Sequence, residues 1–343
     1  MVFLGWQMRY NMPMSHKIRV GVLRGGPSNE YEVSLNSGAS VLGALRKHFE
    51  DTYLPRDIFI DREGIWHMDG VAIEPDRALH QIDLAWNALH GAYGEDGKVQ
   101  SFFEAHGVPI TGSGSLASAV GMNKSLTKKI LKDHGIKVAH GEEVASKRLN
   151  ESESAADELT REFFQTLILP VVVKPNASGS SVGVSIVRDY RDLPAALREA
   201  AKHSDSVMIE QFIPGIEATC GVIEGFRGHE LYALPPVEIR SSTGFFDYEA
   251  KYQGKSEEIV PATFADKTKK AIEELAQKIH RALGLRHYSR SDFIIHPRRG
   301  IYVLEVNTLP GMTGESLMPK ALRAVGSDVH ELVGHVLELA LKK

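Results

Sequence analysis

Asp292, Glu305 and Asn307 fall within SDFIIHPRRGIYVLEVNTLPGM, where two β-rich runs flank Pro297-Arg298-Arg299-Gly300. FIIH and IYVLEV have strand character and HPRRG has turn character. A hairpin centred between Arg298 and Arg299 then sets Asp292 opposite Glu305 and Arg290 opposite Asn307. Strand alternation places Glu305 and Asn307 on one face. Facing carboxylates repel unless a cation lies between them, and carboxylate and amide oxygens suit Mg²⁺ or Mn²⁺ shared with phosphates. The alternative is an exposed hairpin with solvated acids. Acids set among Ile, Val and Leu on a strand of buried character favour the metal site.

Lys174 ends the apolar run PVVVK, and NASGSSVG leads from it into VSIV. Glycines let backbone N–H groups approach phosphate oxygens, and the Ser180 and Ser181 hydroxyls add donors, so the segment reads as a flap over a nucleotide. It is not the G-x-x-x-x-G-K-[ST] loop, because it enters a strand instead of opening a helix. A plain turn beside a surface lysine is the bland alternative. Gly112-Ser113-Gly114-Ser115-Leu116-Ala117 resembles a dinucleotide fingerprint, but the chain that follows is helical and supplies no acid at the end of a next strand. Lys124, further along, reads either as a second cation aimed at the nucleotide or as a solvated helix lysine. Glu210 and Glu217 bracket QFIPGI at a strand end, where backbone groups could read adenine and a carboxylate could accept ribose hydroxyls.

These groups need a scaffold of alternating elements. IRVGVLRGG is a strand running into a glycine turn, followed by a helix with Val33, Val41, Leu42 and Leu45 at helical spacing. Strands at YLPRDIFI, IDLAWNALHG and VPIT, with a helix through VQSFFEAHG, complete a Rossmann-like parallel sheet. Residues 115–134 read as one long amphipathic helix and 151–166 as a charged one. LILPVVVKPNASGSSVGVSIVR is strand, loop, strand; YRDLPAALREAAKH is helical and SVMIEQFI extended. Strands within 217–240, a flexible stretch SSTGFFDYEAKYQGKSE, a helix at 266–283 and the hairpin finish the chain. The expected organisation is an extension over 1–16, a Rossmann-like unit over 17–122, a central lobe over 123–210 and a C-terminal lobe over 211–343.

Bulk properties narrow the function. With 343 residues and 43% hydrophobic content, the chain suits several packed domains. A net charge of −4 and a pI near 6.4 give no broad basic field, so nucleic acid is not an expected partner. Cys220 is the single cysteine, which excludes an internal disulfide and a cysteine-based zinc cluster and fits a reducing cytoplasm. No apolar run has membrane-spanning length, and the opening MVFLGWQMRYNMPMSHK lacks the basic start of a secretory signal. Residues 1–16 read as a loose extension, with docking through Trp6 and Tyr10 as the alternative; Met12 and Met14 offer downstream starts.

Together the blocks RGGPSNEYEVSLNSG, HGAYGEDGKVQ, TGSGSLASAVGMNKSLTK, VVKPNASGSSVGVS, DYEAKY and LEVNTLPGMTGESLMP resemble, in order, the D-alanine:D-alanine ligases of the ATP-grasp superfamily. The resemblance runs from about Lys17 to the end. It implies an α/β ATP-grasp fold of three domains, with two α+β lobes clasping ATP behind the Rossmann-like unit. The implied reaction phosphorylates one D-alanine carboxylate and lets the amine of a second attack the acyl phosphate. Glu32 matches the acid holding the first ammonium, with His90 near that substrate, and Ser180 and Tyr252 match a pair bonded with the acid. Lys124, Lys174 and Lys251 match phosphate contacts. Glu210, the backbone near Ile213, and Glu217 match adenosine contacts, and Asp292, Glu305 and Asn307 match ligands of two divalent ions. Arg290 and the Gly311 N–H would stabilise the tetrahedral oxyanion, while Ser316 and Leu317 would receive the second carboxylate. A cytoplasmic homodimer serving peptidoglycan synthesis is likewise implied.

The sequence departs from the commonest family pattern at Tyr31, at Phe246 and at Ala177-Ser178. Relatives making D-alanyl-D-lactate often carry phenylalanine at the Tyr252 position, so Tyr252 favours the dipeptide. A D-lactate ligase, an ATP-grasp ligase for other amino acids and a non-catalytic nucleotide-binding relative stand as alternatives. A dehydrogenase would rest on GSGSLA alone.

Overall fold

The computed structural model describes residues 17–342 apart from 153, 165, 178, 180, 181 and 242–255. Ser180, Ser181, Lys251, Tyr252, Phe246 and the extension over 1–16 therefore lie outside the described residues.

Strands β1 (Ile18–Gly25), β2 (Tyr53–Ile60), β3 (Trp66–Met68), β4 (Val71–Ala72) and β5 (Leu84–Asn87) form a sheet in the order β4-β3-β2-β1-β5. Val20, Val22 and Leu23 of β1 are fully buried, and β1 runs parallel to both β2 and β5. That pairing fits a strand covered on both faces. The β2–β3 and β3–β4 ladders are antiparallel, so the sheet is mixed and not wholly parallel as expected. VPIT contributes only a bridge from Ile110 to Ala85, because Gly112, at φ +91°, turns the chain straight afterwards. The helix Tyr31–His48 buries Val41, Leu42 and Leu45, with Glu32 in its first turn and Arg46, Lys47 and His48 in its last, as the helix dipole favours.

A second sheet holds β6 (Gly141–Ala145), β7 (Val171–Pro175), β8 (Ser185–Val187) and β9 (Ser206–Gln211) in the antiparallel order β6-β9-β7-β8. The sequence did not suggest β6, an edge strand that buries only Val144 and carries no alternation. The third sheet joins β10 (Ile216–Glu224), β11 (Leu231–Ala233), β12 (Val237–Ser241), β13 (Ser256–Ile259), β14 (Tyr288–His296) and β15 (Gly300–Asn307). Its order is β13-β12-β10-β14-β15, with β11 paired to β10.

The single long helix expected over 115–134 is two, Ser115–Met122 and Lys124–Asp133. Asn123 leaves helical geometry at φ −87°, ψ 100°, and its side chain accepts the Leu126 N–H at 2.9 Å, capping the second helix. The break re-aims the chain so that Lys124 opens the second helix.

Packing divides the molecule differently from the strand count. Val20, Val22 and Trp86 of the first sheet share one core with Ile223, Tyr288 and the C-terminal helix residues Leu332 and Val336. Trp86 stacks on Tyr288 at 6.0 Å. Leu131, of the helix Lys124–Asp133, packs with Ile272, Ile279, Phe293 and Val303 against the third sheet. The second sheet has a core of its own, built from Leu159, Val173, Leu197, Val207 and Ile209 among others. Two sheets thus form a continuous floor and one forms a separate lobe. Among the described residues no helix is long and apolar enough to cross a membrane.

Candidate active site

Asp292 faces Glu305 and Arg290 faces Asn307 across the β14–β15 ladder, as the spacing predicts. The turn itself differs. His296 pairs with Gly300, which makes a three-residue turn, and a register shift follows Asp292, so that Phe293 faces Val303 and Leu304 is the extra residue. The bulge absorbs the offset, so the ligand end keeps the expected pairing although the turn centre moved. His296 Nδ1 accepts the N–H groups of Arg298 and Arg299 at 3.0 and 2.9 Å, which fixes the tight turn.

Arg290 donates to both oxygens of Asp292, Nε to Oδ1 and Nη2 to Oδ2, each at 2.9 Å. Thr219 Oγ1 adds a 2.6 Å bond to Oδ1. Lys124 Nζ lies 3.6 Å from Glu305 Oε2. Burial opposes charge on Arg290, but Asp292, with Glu305 and Glu95 further away, raises its affinity for the proton, so it is a permanent cation. Asn307 Oδ1 accepts the Leu309 N–H at 2.9 Å and keeps a second lone pair. Two carboxylates and an amide oxygen on one ledge suit a hard divalent cation. Among the described residues no three His, Cys, Asp or Glu side chains converge as a metal centre.

At the other end of the cleft, Glu210 is held from both sides. Lys174 Nζ lies 2.5 Å from Oε1, and Lys128 Nζ pairs with Oε2. All three side chains are buried. Burial pushes the Lys128 ammonium down to about 8 despite the Glu210 charge, while the two lysines outweigh burial and lower the Glu210 carboxyl. Asn176, at the flap's base, donates through Nδ2 to Asn123 Oδ1, Glu143 Oε1 and Ser206 Oγ, and accepts the Ser125 N–H at 2.8 Å. The flap is thereby tied to the helix that carries both Lys124 and Lys128.

Between these ends, His90 Nε2 lies 3.0 Å from Ser37 Oγ, which accepts the Met312 N–H at 3.3 Å. This joins the first sheet's helix to the loop carrying Gly311. Ser316 precedes the helix Leu317–Ala324, and its Oγ accepts the Thr313 N–H at 3.2 Å. Burial, and after it the Glu30 charge, push the Glu95 carboxyl up to about 8.

A cavity of about 440 Å³ runs between the two ends. It brings together His90, Lys124, Lys174, Glu210, Glu217, Arg290, Asp292, Glu305, Asn307, Gly311, Ser316 and Leu317. Two expected positions are not on its wall. Glu32 is 72% exposed and pairs with Arg62 at 3.2 Å, whereas Glu30 lines the cavity. The helix begins at Tyr31, and Glu30 before it lies outside helical geometry at φ −98°, ψ 21°, so its side chain does not share the face that Glu32 takes. A Cβ on Gly179 would overlap Glu30 Oε2, which shows how closely the flap approaches this acid. Ile213 buries its side chain with Ala139, Ile294 and Tyr302, which does not bear on the backbone contact expected there. Ser180, Ser181, Lys251 and Tyr252 lie outside the described residues. Sequence reasoning missed Glu30, Glu95, Asn176 and Lys128. Lys128 follows Lys124 by one helical turn, and that spacing was the available signal.

Residues 69–113 match the family description "D-ala D-ala ligase N-terminus" and residues 130–338 match "D-ala D-ala ligase C-terminus". The chain belongs to the D-ala D-ala ligase family. A D-alanine–D-alanine ligase from Pelotomaculum thermopropionicum is 40% identical over 95% of this chain and 97% of its own. Two solved structures cover 95% of this chain. The VanG D-Ala:D-Ser ligase from Enterococcus faecalis has a TM-score of 0.81 and 31% identity over all of its own chain. The D-alanine–D-alanine ligase from Bacillus anthracis has a TM-score of 0.76 and 34% identity over 98% of its own. As a member of the D-ala D-ala ligase family, the chain is an ATP-dependent ligase with the ATP-grasp fold expected from its sequence.

Proposed function

We propose that the chain joins two molecules of D-alanine into D-alanyl-D-alanine, converting ATP to ADP and phosphate and supplying the dipeptide for peptidoglycan. The observation that carries the reading is the single cavity in which a carboxylate pair, Arg290 and two lysines meet the Gly311 backbone and the helix start at Ser316. The first carboxylate attacks the γ-phosphoryl group, ADP leaves, and the second amine attacks the resulting acyl phosphate; the tetrahedral intermediate collapses with loss of phosphate.

Lys124 and Lys174 neutralise the transferring phosphoryl group, and Glu210 and Glu217 hold the adenosine end. Asp292, Glu305 and Asn307 would hold Mg²⁺ or Mn²⁺, two ions, which when bound spread charge over the phosphate oxygens. Arg290 and the Gly311 N–H stabilise the oxyanion. Glu30 takes the ammonium-holding role expected for Glu32, beside His90. The first N–H groups of the helix Leu317–Ala324 receive the second carboxylate. A cytoplasmic homodimer is the setting that the family resemblance supports, and sedimentation of the purified protein tests the dimer.

The likeness to a D-Ala:D-Ser ligase supports a second reading, in which D-serine takes the second position. ADP release with ATP and Mg²⁺ is measured with D-alanine, L-alanine, D-alanine plus D-serine, and D-alanine plus D-lactate, with products identified by mass. The expected outcome is D-alanyl-D-alanine from D-alanine alone. A mixed product formed in preference to it reassigns the second subsite, and absence of ADP release with every substrate rejects the ligase reading.

A further inference from the structure

Resting on the proposal that ATP occupies this cleft, we infer that Lys128 is a positioning residue: anchored on the floor, it keeps the Glu210 carboxylate ionised and oriented towards the nucleotide while Lys174 turns to the phosphates. Lys174 and Glu210 line the cavity, whereas Lys128 does not and stands behind them. The three groups come from three elements. Lys128 belongs to the helix Lys124–Asp133, whose Leu131 packs in the core of the third sheet, while Lys174 on β7 and Glu210 on β9 belong to the separate lobe. Each oxygen of Glu210 thus meets its own ammonium, one from the lobe and one from the floor.

The arrangement matters once a polyphosphate arrives. Lys174 faces the cavity and is the cation a phosphate would draw away. With Lys174 gone and no second partner, Glu210 would be a buried carboxylate without compensation, which is strongly unfavourable. Lys128, which does not line the cavity, remains as the counter-charge. It occupies one helical turn after Lys124, so one helix face sends a cation to each end of the cleft, Lys124 to Glu305 and Lys128 to Glu210. The charged groups acting on Lys128 are Glu210, Lys174 and Lys124; burial first, and then the two like charges, lower its ammonium to about 8 against the pull of Glu210.

Steady-state kinetics of Lys128→Met and Lys128→Arg, with the full chain, test the assignment. Lys128→Met is expected to raise KM for ATP by about tenfold or more while kcat and KM for D-alanine stay within about threefold, as loss of a group acting on ATP binding alone requires. In the wild type, KM for ATP is expected to rise as pH passes about 8, where the lowered Lys128 ammonium gives up its proton. Lys128→Arg, charged throughout that range, keeps a low KM for ATP and removes the alkaline rise. An unchanged KM for ATP in Lys128→Met, or an alkaline rise that persists in Lys128→Arg, overturns the inference. If Lys128→Met does not fold, the Lys128→Arg pH profile alone decides. An inactive wild type rejects the ligase reading itself, which separates the two failures.

Discussion

The two ends of the cleft are built in opposite ways. The Asp292/Glu305 end sits on one hairpin within the floor, and among the described residues the hydrogen bonds that order Asp292 come from strands of the same sheet, Arg290 on β14 and Thr219 on β10. The Glu210 end is assembled across the boundary between lobe and floor, and ionic contacts make the join. The floor is preorganised by apolar packing, whereas the Glu210 end depends on charges that a ligand can rearrange. Substitutions at the first should therefore remove chemistry and spare the fold, while those at the second should disturb both ATP binding and stability.

The largest expected effect is that of Glu305→Ala, which should lower kcat by more than about a hundredfold, since even groups one step behind a metal cost about 10–100-fold. Circular dichroism and the melting temperature should change little, because Glu305 is partly exposed. Near-normal turnover at saturating Mg²⁺ would remove the hairpin from the mechanism. Glu210→Ala should instead leave two buried cations facing each other. A loss of roughly 3–5 kcal/mol in stability is expected, together with a raised KM for ATP. Equal melting temperatures for the two variants would erase the contrast between the ends.

The hairpin was legible because strand alternation has a period of two, and the Asp292, Glu305 and Asn307 spacing specifies a face once a turn is recognised. Even a misplaced turn centre did no harm, since the bulge at Leu304 restored the register. Helix starts gave no such protection. In the first block the expectation fell on Glu32, whereas Glu30, one residue before the helix start at Tyr31, lines the cavity, and no side-chain cap bond fixes that start. For Lys128 the one-turn spacing from Lys124 marked a helix face but not what that face meets. Its partner Glu210 is 82 residues away on another sheet, and local pattern does not encode that meeting. The break at Asn123 and the edge strand β6 were hidden by weak periodicity, whereas the apolar strands β1, β7 and β9 announced themselves.

Two smaller effects sharpen these distinctions. Glu30→Gln should lower kcat/KM for D-alanine by about tenfold to a hundredfold, as expected for losing a charged hydrogen-bond partner of the substrate. Glu32→Gln should stay within about twofold, because an exposed ion pair with Arg62 contributes little. The reverse order would restore Glu32 to the site. Thr219→Val removes the 2.6 Å bond to Asp292 and should weaken apparent metal affinity by about tenfold, with kcat nearly regained at high Mg²⁺. A kcat that stays low at every Mg²⁺ concentration would show that Thr219 acts on something other than the metal ligand.

Mn²⁺ uptake, followed by electron paramagnetic resonance in the presence of ADP, is the measurement that decides whether the facing carboxylates hold the cation. The wild type should remove free Mn²⁺ from solution with an affinity that falls by about tenfold or more in folded Glu305→Ala. Indistinguishable titration curves for the two proteins would contradict the metal site on which the mechanism rests.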